Sequence, residues 1–139
     1  MSEQECKESQ IAAIALKGVS LLGVVLLITI PTTFIMVQNH GLNVVQKMIF
    51  VLCLLSGFLS GIRSWHLYFD SQLLKNIGDK KMSLSDVDQI VKPLFGKNIQ
   101  GITIENRIKS CYKLVRGFYT LLCLHLFFFV VMIVFFLLV

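Results

Sequence analysis

His125 is the residue of this chain whose chemistry departs most from its surroundings. It lies in the run from Gly117 to Val139, 23 residues without a formal charge. An ionisable side chain at that depth is a functional candidate, because hydrocarbon penalises it unless it finds a partner. A neutral imidazole there could ligate haem iron, relay a proton or hydrogen-bond a neighbouring helix. The apolar runs offer no second His and no carboxylate to pair with it. A hydrogen bond to a facing Ser, Thr or backbone carbonyl is therefore the expected role.

The stretch Arg63-Ser-Trp-His-Leu-Tyr-Phe-Asp70 holds the densest polar and aromatic cluster. On a helix, Arg63, His66 and Asp70 fall at i, i+3 and i+7, on one face. Such a face could bind a quinone headgroup, a lipid phosphate or a partner loop. The plainer reading is an interface cluster of Arg63, Trp65, His66 and Asp70 that anchors a helix at the membrane surface. In that reading Trp65 and Tyr68 lie among the headgroups and Arg63 lies on phosphate. His66 and His125 are the candidates for cofactor binding, and no resident cofactor is expected.

Gly57-Phe-Leu-Ser-Gly61 is a G-x-x-x-G pattern, and Cys53 extends the same stripe of small residues. Lipid tails do not drive helices together, so close backbone approach must do it. Cys53, Gly57, Ser60 and Gly61 are thus expected to carry helix packing, internally or against another subunit. The four cysteines, Cys6, Cys53, Cys111 and Cys123, lack the short spacing of a zinc site and read as free thiols. Gly96-Lys-Asn-Ile-Gln-Gly101 lacks the ending of a phosphate loop, and Asp86-Val-Asp88 lacks the rest of a calcium loop. No hydrolase motif is present, and the chain is not expected to be an enzyme.

The elements that must position these residues follow from composition. Of 139 residues, 55% are hydrophobic and only 15% charged, with a mean hydropathy of +0.76. Soluble domains carry about 25% charged residues. The balance excludes a disordered chain and points to an all-α integral membrane protein. Three transmembrane helices are expected, with a helical cytoplasmic segment between the second and third. The reading assigns residues 1–10 to a cytoplasmic N-terminus and 11–37 to the first span, kinked at Pro31, with Thr32 and Thr33 re-satisfying the backbone. Residues 38–43 form a short external loop, turning at Gly41 and Asn43. Residues 44–70 form the second span with a cytoplasmic extension, 71–110 a cytoplasmic amphipathic segment, and 111–139 the third span. Within 71–110, Ser83-Leu-Ser-Asp86 reads as a capping box. Val87, Ile90, Val91 and Leu94 recur at helical spacing, and Pro93 and Gly96 end that helix. A further helix starting near Thr103 runs directly into the third span.

Charge sets the expected orientation. Residues 63–116 hold ten of the 13 basic residues and five of the eight acids. Positive-inside reasoning places that segment in the cytoplasm, with the N-terminus in and the C-terminus out. Arg107, Lys109, Lys113 and Arg116 form a lipid-facing basic group beside the third span. No nucleic-acid motif accompanies the charge, and nucleic acid is not an expected partner.

Gly61-Ile62-Arg63 and Asp70, with three spans and a basic cytoplasmic side, resemble the membrane-anchor subunits of succinate dehydrogenase. There a long second helix ends in a Gly-Ile-Arg-like turn followed by an acid. The resemblance implies quinone or haem binding. In that family a haem-ligating His stands about one turn before the glycine, and Gly57 holds that position here.

The expected function is that of a non-enzymatic subunit or scaffold of a larger membrane assembly, in a bacterial cytoplasmic membrane. Its partners would be anionic headgroups of the bilayer and other membrane subunits, or itself. A respiratory anchor subunit binding quinone or haem is one alternative. An oligomeric pore or transporter component is the other.

Overall fold

The computed structural model describes residues 3–38, 43–81, 83, 85–86, 89 and 103–137. Among these residues there is no strand. The long helices are α1 (Glu3–Leu21), α2 (Val24–Gln38), α3 (Val44–Gly78) and α4 (Ile104–Leu137). Three stretches are long and apolar enough to cross a membrane: Glu3–Gln38, Val44–Gly78 and Ile104–Phe135. The expected helix at Val87–Leu94 and the turn at Gly41 lie outside the described residues.

The helix of the first stretch begins at Glu3, with Glu3 and Glu5 in the first turn, where carboxylates suit the helix dipole. Lys7 pairs with Glu3 at 2.9 Å. The interruption falls at Leu22-Gly23, not at Pro31. There the ladder tightens to i→i+3 bonds, from Val25 N–H to Leu22 O and from Leu26 N–H to Gly23 O. Glycine is the cheapest residue at which to leave helical geometry. Pro31 stays inside α2. The hydroxyls beside it donate to the turn below, Thr32 to Ile28 O (2.7 Å) and Thr33 to Thr29 O (2.6 Å).

Caps define the other helices. Asn43 and Gln46 form a reciprocal box at the start of α3: the Gln46 N–H donates to Asn43 Oδ1 at 2.9 Å, and the Asn43 N–H donates to Gln46 Oε1 at 3.0 Å. Thr103 caps α4, accepting from the Asn106 N–H. From there α4 runs unbroken into the apolar segment, as expected. The Ser83–Asp86 box also forms. The Ser83 N–H and O–H both donate to Asp86 Oδ2, and the Asp86 N–H donates to Ser83 Oγ. Those two donors hold the Asp86 carboxyl below the usual carboxylate range.

The end of α3 is a Schellman cap. The Lys81 N–H donates to Asn76 O and the Lys80 N–H to Ile77 O, the 6→1 and 5→2 pattern. The left-handed position is Lys80, at φ 57°, where glycine is usual. The nearby Gly78 serves another purpose. A Cβ there would lie 2.6 Å from Gln10 Cγ and 3.1 Å from Cys6 O, so its absence lets α1 approach.

The chain divides into two compact units. The first comprises residues 1–20 and 66–115, with Leu73, Ile77 and Ile104 buried together and Phe69 and Ile108 packed on them. The second comprises residues 21–65 and 116–139. Its sequence contains no acid, and its charged residues are Lys47, Arg63 and Arg116.

A non-glycine residue in the left-handed region costs roughly 1–2 kcal/mol, part of which glycine's own flexibility offsets. Lys80→Gly is expected to raise stability by about 0.5–1 kcal/mol in denaturant titrations of the detergent-solubilised protein. Lys81→Gly, one residue outside the strained position, is expected to give no gain. Equal responses of the two variants would refute the strained cap.

Candidate functional site

In the second unit the usual arrangement of a soluble core is inverted. Thr29, Thr33, Gln46, Ser56, Ser60 and His125 are buried. Leu27, Ile28, Phe58 and Phe127 are each at least 60% exposed. Helical spacing produces the inward face: Leu26, Thr29 and Thr33 on α2, and Phe118, Leu122, His125 and Met132 on α4.

His125 stands at the centre with no exposed surface. Its Nε2 lies 2.8 Å from Thr29 Oγ1. Its Nδ1 lies 2.9 Å from the Cys53 carbonyl oxygen and 3.7 Å from Cys53 Sγ. A carbonyl can only accept, so Nδ1 carries the hydrogen and donates. In the neutral ring Nε2 is then the acceptor, and Thr29 donates to it. The ring also stacks on Phe129, with centroids 6.4 Å apart and planes 19° from parallel. Both nitrogens are engaged by protein atoms, one on α2 and one on α3.

Gly57 makes room for this ring. A Cβ at that position would lie 2.9 Å from His125 Nδ1 and Cε1, and 3.3 Å from Ile30 Cδ1. Gly61 is different, since a Cβ there would meet nothing nearer than Leu26 Cδ1 at 3.9 Å. Of the two glycines in the G-x-x-x-G pattern, only Gly57 is required by a close approach. Ser60 is fully buried and donates to Ser56 O, within its own helix. Cys53 is fully buried.

The Arg63–His66–Asp70 face is used in two different ways. Arg63 lies in the second unit, with its guanidinium against Gly117, where a Cβ would overlap it. Asp70 and His66 lie in the first unit. There the Cys111 thiol donates to Asp70 Oδ2 at 3.8 Å, and Arg107 and His66 act on the Asp70 charge. Trp65 is 71% exposed.

The basic group on α4 is also not uniform. Arg107 faces Asp70, and Lys109 pairs with Glu105 at 2.7 Å on an exposed surface. Lys113 and Arg116 are exposed. All four cysteines are free. Among the described residues no group of three or more His, Cys, Asp or Glu side chains could hold a metal ion.

Residue types alone pointed to His125 and to the kind of partner it would take. They did not reveal Thr29 as that partner, nor the Cys53 carbonyl, because a backbone oxygen leaves no mark in sequence. Comparison with known proteins gives no match to any family model, curated protein or solved structure.

The two glycines provide the test. Gly→Ala inside a helix gains up to about 1 kcal/mol of propensity, whereas overpacking a rigid neighbour costs roughly 1–3 kcal/mol. In denaturant titrations of the detergent-solubilised protein, Gly61→Ala is expected to be neutral or slightly stabilising. Gly57→Ala is expected to be destabilising, and combining it with His125→Ala is expected to recover part of the loss relative to His125→Ala alone. Equal effects of the two glycine substitutions would remove the special role of Gly57.

Proposed function

We propose that this chain is an integral membrane protein serving as a non-enzymatic subunit or scaffold of a larger membrane assembly. The observation that carries this reading is the way the second unit divides its surface. Among the described residues its buried hydroxyls, Gln46 and His125 bond one another or their own helices. In the most apolar windows of the three candidate spans, only 28%, 28% and 22% of residues are buried. The remaining surface, with Leu27, Ile28, Phe58 and Phe127 among its most exposed members, is available to lipid tails or to other helices. An apolar surface of that extent suits a bilayer and offers ample room for lateral partners.

In this reading the protein resides in a bacterial cytoplasmic membrane. Residues 63–116 face the cytoplasm because they carry most of the basic residues. The N-terminus is then inside and the C-terminus outside. The exposed Lys113 and Arg116 meet anionic headgroups, each contributing about 1 kcal/mol near the surface. Partners are other membrane subunits or a second copy. The quinone or haem alternative gains no support from His125, whose two nitrogens are already hydrogen-bonded.

Two measurements test the proposal. Extraction in a gentle detergent, followed by identification of copurifying chains and of the native mass, is expected to yield a complex or a homo-oligomer. Recovery solely as a monomer would overturn the subunit reading. A periplasmically active reporter fused after Val139 is expected to be active, and one fused at residue 82 silent. The reverse pattern would overturn the orientation.

A further inference from the structure

Within the first unit, α1 and the last turns of α3 meet in an antiparallel pairing. At one end of it Gln10 Nε2 donates to Asp79 Oδ1 (3.0 Å) and towards Gly78 O (3.4 Å). Above that contact the helices enclose a half-open cavity of about 270 Å³, lined on one side by Ala13 and Lys17 and on the other by Ser71 and Lys75. Small-molecule sites occupy roughly 300–1,000 Å³, so this space suits a headgroup-sized ion rather than a larger cofactor.

The lining has a definite polarity. Lys17 and Lys75 bring two ammonium groups from different helices, and neither is in an ion pair among the described residues. The acid in the cavity, Asp79, accepts from Gln10. Two ammonium groups against one carboxylate leave the recess with one formal positive charge in excess, which an anion placed between the ammonium groups balances. Position supplies the second argument. Lys17 lies one turn, about 6 Å along the axis, before Leu21, where a charge-free apolar sequence begins. If that sequence enters the hydrocarbon, Lys17 stands at headgroup depth, since the polar layer is roughly 5–8 Å thick on each side.

We propose that Lys17 and Lys75 form a binding site for a phosphate group, supplied by the headgroup of an anionic phospholipid. The phosphate is held between the two ammonium groups, with Gln10 bonded to the Asp79 carboxylate. Only the lipid source of the phosphate rests on the membrane reading above. The two-lysine recess itself does not, and neither depends on whether the protein is a subunit.

The test uses the full-length chain in phosphatidylcholine nanodiscs doped with phosphatidylglycerol, with retained anionic lipid counted by native mass spectrometry. K17Q and K75Q are each expected to lower apparent lipid affinity about fivefold, equivalent to about 1 kcal/mol per charge. The double variant is expected to lose about 25-fold on the same basis. K81Q, an exposed lysine outside the cavity and outside the basic group beside the third span, should change it less than about twofold, and K17R/K75R should keep it. All variants should show the thermal transition of the unsubstituted chain, since both lysines are exposed. Inorganic phosphate titrated into discs of phosphatidylcholine alone separates the sources. Tight binding there that depends on both lysines would keep the phosphate site and overturn its assignment to lipid. Unchanged lipid retention in the double variant, a loss in K81Q as large as in K17Q, or a loss in K17R/K75R would each overturn the site.

Discussion

A polar group taken out of water must find its hydrogen-bond partner within the protein, and in the second unit that requirement converges on His125. The imidazole has two nitrogens to satisfy, and the answers come from two other helices. Each answer imposes a condition on the sequence. The Cys53 carbonyl also accepts from the Ser56 hydroxyl of its own helix, at 2.9 Å, so the ring shares that oxygen with donors of α3. Thr29 must face inward, which sets the rotation of α2. Gly57 must lack a side chain, which sets how closely α3 can pass. These conditions are coupled, because the ring cannot yield to a bulkier Gly57 without losing one of its two bonds.

The first unit solves a different problem. Its charges lie on surfaces water can reach, so pairing is optional and weak. The Lys109–Glu105 and Lys7–Glu3 bridges are of this exposed i,i+4 kind, worth a few tenths of a kcal/mol. What holds its helices together is apolar contact through Leu73, Ile77 and Ile104, and the close approach that Gly78 permits. Polar specificity enters there through single contacts, Gln10 on Asp79 and Cys111 on Asp70. The two halves of α3 therefore obey opposite rules. Before Trp65 the buried face is largely polar, and after His66 it is largely apolar.

Much of this was legible in sequence where the cause is local. Helix type, the caps at Ser83 and Thr103, and the continuity of α4 follow from spacing within a few residues, and they appear as expected. The failures share a reason. The hydroxyl bonds expected beside Pro31 are present, but the break in the first stretch falls at Gly23, which residue type did not single out. The G-x-x-x-G stripe looked uniform, but only the ring of His125, 68 positions away in sequence, distinguishes Gly57 from Gly61. Arg107, Lys109, Lys113 and Arg116 looked like one basic group. Asp70 separates the first of them, and local helical pairing with Glu105 separates the second. In each case the deciding contact is either a backbone atom or a residue distant in sequence.

Thr29 shows why the His125 site is more than a polar stripe. The other buried hydroxyls of the unit send their hydrogens to their own helices: Thr33 to Thr29 O, Ser56 to Cys53 O, and Ser60 to Ser56 O. Bonds of that kind hide a hydroxyl without linking one helix to another. Thr29 Oγ1 has the same option, with Val25 O at 3.1 Å, but it also lies 2.8 Å from Nε2. It has one hydrogen and two acceptors. Nδ1 must donate to Cys53 O, so a neutral ring leaves Nε2 without a hydrogen of its own, and the Thr29 hydrogen has to serve it. Val25 O loses nothing essential, because it keeps its backbone partner in the helix. The hydroxyl that could have closed on its own turn is drawn across the interface, and one imidazole thereby ties α2, α3 and α4 together.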